Sequence, residues 1–106
     1  MDEIKLATHC LQLATKDLGL KEIVDFDGVS EPFDWLEKML EIRIKEMLDS
    51  DFIGLMNAFY RIDIPEKKVQ ELLELSKPEE VAIRLAKAVI EREKQKVITR
   101  EQYRSS

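Results

Sequence analysis

The chain holds three prolines, and each sits two residues after a helix-capping residue type: Ser30-Glu31-Pro32, Asp63-Ile64-Pro65 and Ser76-Lys77-Pro78. Twice a glutamate follows, Glu66 and Glu79, which completes the spacing of a capping box. A Ser or Asp oxygen can accept from the free N–H groups of a first helical turn. A proline in that turn gives up a donor that had no partner anyway. The spacing therefore predicts three helix starts, capped by Ser30, Asp63 and Ser76. It constrains architecture and carries no chemistry.

Apolar periodicity supplies the rest of a five-helix, all-α reading. Ile4, Ala7, Leu11, Ala14 and Leu18 mark one face of a first helix, widened by Leu6, Cys10 and Leu13, and Gly19 is the left-handed residue expected to end it. Lys21 to Phe26 alternates as a strand would, but the sequence offers no second strand to pair with it. Residues 20–29 are expected as a loop or a short helical turn pinned to the core by Ile23, Val24 and Phe26, with a turn at Asp27-Gly28. The second helix runs from Ser30 to about Leu48. Phe33, Leu36, Leu40, Ile44 and Met47 form one stripe on it and Trp35, Met39 and Ile42 an adjacent one, so wide a sector that it calls for more than one neighbour.

Asp49-Ser50-Asp51 breaks that helix and caps a third, from Phe52 to about Arg61, which is apolar nearly all round and is expected at the centre of the domain. Gly54 inside it costs ~1 kcal/mol against Ala, and close approach of another helix is the expected reason for it. The fourth helix would turn Val69, Leu72, Leu73 and Leu75 inward. The fifth has only Arg84 and Lys87 as polar positions between Val81 and Ile90, with small Ala82, Ala86 and Ala88 for close packing. Beyond Ile90 only Val97, Ile98 and Tyr103 are apolar. A helix from Pro78 to Tyr103 would span about 39 Å, against a diameter of roughly 33 Å for a compact domain of this length. The expected fold is one compact bundle, with a core over about 1–91 and a basic, partly overhanging arm over about 92–106.

Composition narrows the function. Charged residues make up 37% of the chain, above the usual ~25%. The lone Cys10 permits no internal disulfide, and the start of the chain lacks a secretory pattern, so a cytoplasmic setting is expected. No stretch approaches the ~20 apolar residues of a membrane span. The net charge of −5 is uneven: Arg84 to Arg104 holds seven cations against three anions, a net of +4, which leaves −9 for the rest.

Candidate chemistry is sparse. His9 and Cys10 are neighbours that point about 100° apart on a helix, too divergent to clamp one metal or to form a nucleophile–base pair. The acidic pairs lie at helix starts, where the dipole favours them. No glycine-rich phosphate loop or triad spacing is present, so no enzyme, cofactor or metal is expected. Asn57, Tyr60, Arg61 and Asp63 form the one notable polar cluster, with Asn57 and Arg61 four apart on one helical face. It reads either as a small polar pocket in an apolar centre or as a hydrogen-bond network fixing the turn.

The basic arm reads two ways. Its cations could neutralise phosphates and Tyr103 could stack on a base. Against a nucleic-acid module, the would-be recognition helix opens with Glu79-Glu80 and has an apolar middle. The preferred reading is a non-enzymatic protein that associates, as a homodimer or with another protein. There Arg92, Lys96, Val97, Ile98, Arg100 and Tyr103 would pack the arm on an acidic body.

Phe52 to Glu66 (FIGLMNAFYRIDIPE) resembles a stretch found in small bacterial proteins of unknown function, and Ala88 to Arg100 (AVIEREKQKVITR) adds to the likeness. The resemblance covers roughly the C-terminal half and implies a stand-alone bacterial cytoplasmic protein. It brings no catalytic residues.

Overall fold

The computed structural model describes residues 2–22 and 24–105 as five helices: α1 (Glu3–Leu18), α2 (Pro32–Ser50), α3 (Phe52–Ile62), α4 (Glu66–Leu75) and α5 (Val81–Ser105). No strand occurs among the described residues. The molecule measures 39 × 29 × 21 Å. The 25 residues of α5, at 1.5 Å each about 37 Å, run its full length.

The core sits between α2 and α5, whose packing is the most extensive in the bundle, with α1 laid across both. α2 buries Leu36, Leu40 and Ile44, and α5 buries Ala82, Leu85, Ala86 and Val89. The small alanines permit the close approach expected of them. The buried face of α1 is Ala7, Cys10, Leu11, Ala14 and Leu18, and Gly19 ends it at φ 66°, donating to the Thr15 carbonyl at 2.9 Å. That is the single-bond left-handed cap. In the following loop Phe26 is buried and Val24 half-buried, and Val29 N–H closes the Asp27-Gly28 turn on the Phe26 carbonyl. Ile23 lies outside the described residues.

The proline boxes place helix starts but not by the expected caps. The N-cap of α2 is Glu31, which makes no side-chain cap bond, and Pro32 itself is the first helical residue. Asp63 closes α3 instead of opening α4. It takes φ 68°, its N–H reaches the Tyr60 carbonyl and that of Ile64 reaches Phe59, both at 3.1 Å. This is a Schellman ending with aspartate where glycine is usual, and its apolar pair, Phe59 and Ile64, is buried. Ser76 ends α4, and α5 starts only at Val81, after a turn over 78–80. The side chains that do cap are Asp2, accepting from Lys5 N–H at 2.8 Å, and Asp51, accepting from Gly54 N–H at 3.0 Å.

Three packing expectations are corrected. α3 is not the buried centre: Leu55, Ala58, Phe59 and Ile62 face inward, while Phe52, Ile53 and Tyr60 face solvent. Gly54 does not admit another helix. A Cβ there would land on the Asp51 carboxyl, so glycine leaves room for its own helix's cap. In α4 only Val69 is fully buried, Leu72 and Leu73 are half-buried, and Leu75 is exposed at the last turn of a short edge helix.

Candidate functional site

Helix C-termini leave carbonyls without partners and carry partial negative charge, and this bundle satisfies them with cations from neighbouring helices. At the end of α1, Arg61 of α3 donates to the Asp17 carbonyl and Arg43 of α2 to the Leu18 carbonyl, both at 2.7 Å. At the end of α3, Lys96 of α5 donates to the Arg61 carbonyl at 3.3 Å. Arg92 binds both the Asp63 carbonyl at 3.2 Å and its carboxylate at 3.0 Å. Lys94 lies over the Phe33 ring, 4.0 Å from its centroid.

This arrangement separates the polar cluster. Arg61 turns to α1 and Asp63 to α5, while Asn57 and Tyr60 are exposed, Tyr60 at 87%. The hydrogen bonds of Arg61 and Asp63 thus lead to different helices. Of the arm residues, Arg92 and Lys96 bind the chain's own backbone and Val97 is buried, whereas Ile98, Arg100 and Tyr103 are exposed. Beside them Arg100 and Arg104 border a small recess of about 100 Å³ with His9 and Gln12 of α1.

An uncovered apolar strip lies on α2. Trp35 and Ile42 are 57% and 60% exposed, seven residues apart and so on one face, with half-buried Met39 between them. Met39 and Ile42 continue into a cavity of about 220 Å³ against Gly19 and Leu20, rimmed by Arg43 and Glu46. Of this second stripe of α2, Trp35 and Ile42 stay open to solvent while Met39 packs partly on the core. The fully buried residues of α2 that its first stripe supplies are Leu36, Leu40, Ile44 and Met47.

Sequence reading misses Glu93. Its neighbours in the arm are charged, which marks it as solvated, yet it is 1% exposed. It falls on the α5 face that buries Ala82, Ala86, Val89 and Val97, so following the helical period through the charged residues places it inside. No hydrogen-bond donor reaches either of its carboxyl oxygens. Burial, and then the neighbouring Asp17 carboxyl of α1, push its pKa up to about 7 against the pull of Lys96 and Arg100. Cys10 is buried beside it, its thiol pushed up to about 12 by burial and the Glu93 charge. Among the described residues no group of three His, Cys, Asp or Glu could hold a metal ion, and no helix is long and apolar enough to cross a membrane. No family model matches the sequence, and neither the curated proteins nor the solved structures compared with it include a match.

Proposed function

We propose that this protein works by association rather than catalysis, as a homodimer joined through the open face of α2. The observation that carries the reading is the Trp35–Met39–Ile42 strip with its adjoining cavity. Large apolar groups aligned on one helix face, as opposed to scattered, mark interaction surfaces, and tryptophan is enriched among binding anchors. A twofold axis near Met39 with the two α2 helices antiparallel would carry residue 35 of one copy to residue 43 of the other. Each Trp35 would then stand over the partner copy's Ile42 cavity and its arginine rim, a self-complementary contact. Arg92 and Lys96 of the arm already serve to cap α3, which favours the α2 strip as the surface.

Sedimentation velocity across a concentration series tests this. The native chain is expected to approach twice the monomer mass, and Trp35→Ala with Ile42→Glu to stay monomeric with unchanged helicity. A native chain that remains monomeric at its highest soluble concentration would remove the proposal. Trp35 is the sole tryptophan, so its emission should shift to the blue as the dimer forms.

A further inference from the structure

We propose that Glu93 of α5 and Asp17 of α1 share one proton, and that this proton latches the C-terminal half of α5 onto α1. Glu93 is 1% exposed and neither of its oxygens meets a donor. An ionised carboxylate in such a place loses its hydration and gains nothing in return. Its polar neighbour is a second carboxyl, Asp17. Two carboxylates have four acceptor oxygens and no donor, so they attract only while one proton lies between them. With the proton present, Glu93 donates to Asp17 and α5 is hydrogen-bonded to α1. Without it, two like charges face each other, and the one on Glu93 is cut off from water.

The surrounding charges leave this site to the proton. From α1, Asp17 faces Glu93, and Cys10 stands beside it as a neutral thiol. From its own helix Lys96 and Arg100 act on it favourably, but Lys96 is held at the Arg61 carbonyl. Lys94, on the same helix, acts on Cys10 and sits over Phe33. Arg61 of α3 and Arg43 of α2 direct their donors to the Asp17 and Leu18 carbonyls and to Glu46, not to these carboxyls. Asp63, between α3 and α4, is engaged by Arg92. The folded-state pKa of Glu93, about 7, lies above that of an exposed glutamate, ~4.3. The closed state therefore holds the proton more tightly than the open one. The latch is complete below the ordinary carboxylate range and weakens as pH rises towards 7; above 7 the loss levels off.

Hydrogen exchange of the amides of residues 94–104, corrected for the intrinsic rate at each pH, measures the latch in the whole chain. The amides of Leu85–Ile90 serve as the internal reference. Between pH 5.5 and 8 the protection of 94–104 should fall on the order of 30-fold in the native protein. Glu93→Gln, which keeps a donor and cannot ionise, should show no such fall. An equal fall in Glu93→Gln, or none in the native chain, overturns the proposal. Carbon NMR of the Glu93 carboxyl supplies a readout that does not depend on the fold of a variant. A native midpoint near 7 that drops in Asp17→Asn supports the shared proton, and a native midpoint in the ordinary glutamate range refutes it.

Discussion

Replacing Gly54 with alanine separates two effects of similar size and opposite sign. Helix propensity alone favours Ala over Gly by ~0.8–1.0 kcal/mol, so the substitution should stabilise. The structure gives the other contribution. Gly54 is the third residue of α3, its N–H is the donor to the Asp51 Oδ1 cap at 3.0 Å, and a Cβ would fall on that same carboxyl. The Asp51 carboxyl is the free end of a side chain and can swing away, so the loss is the cap, ~1 kcal/mol, and not a backbone clash. The two effects offset, and Gly54→Ala is expected to change stability by about zero. The decisive measurement is a double-mutant cycle by urea unfolding. Asp51→Ala should cost ~1 kcal/mol in the native chain and almost nothing once Gly54→Ala is in place, a coupling of about 1 kcal/mol. Gly54→Ala stabilising by the full propensity difference, with Asp51→Ala equally costly in both backgrounds, would refute the reasoning.

Three further outcomes follow from burial and backbone geometry. Leu40→Ala, at a fully buried position of α2, should cost about 2–5 kcal/mol in urea unfolding, whereas exposed Leu75→Ala should stay within about 0.5 kcal/mol. Gly19→Ala should cost roughly 1–2 kcal/mol, because φ is +66° while the nearest atom to the new Cβ, Arg43 Nη2, stands at an ordinary 3.6 Å; the loss is conformational and should leave the helix content unchanged. Cys10, buried and with its thiol held at about 12, should react with a thiol probe near pH 8 only as fast as the chain opens. Rapid labelling of the folded protein would contradict its place in the core.

How far the sequence is legible depends on whether a residue's role is local. The first helix can be read from its face and its Gly19 stop because both lie within the helix or next to it. Asp63 and Ser76 mislead for a definite reason. With only three residues between α3 and α4 and five between α4 and α5, a capping residue can serve the end of one helix or the start of the next, and type alone does not choose. At Asp63 the buried Phe59–Ile64 pair decides for the ending. The open face of α2 and the solvent side of α3 are hidden because periodicity shows that a face is apolar, not what lies against it. The polar cluster disperses for the same cause, since its partners are on α1 and α5, 44 and 29 residues away.

At Glu93 composition and period disagree, and period decides. A carboxylate among basic residues reads as solvated. Yet Ala82, Ala86 and Val89 fix the rotation of α5 against its neighbours, and Val97, one turn beyond Glu93, is again inside. A helix held on both sides of a position cannot turn that position outward without unseating both, so the glutamate is carried into the core by its register. The chain can tolerate it there only in a protonated or paired form. That is why the anomaly in the pattern and the proposed proton latch are the same residue.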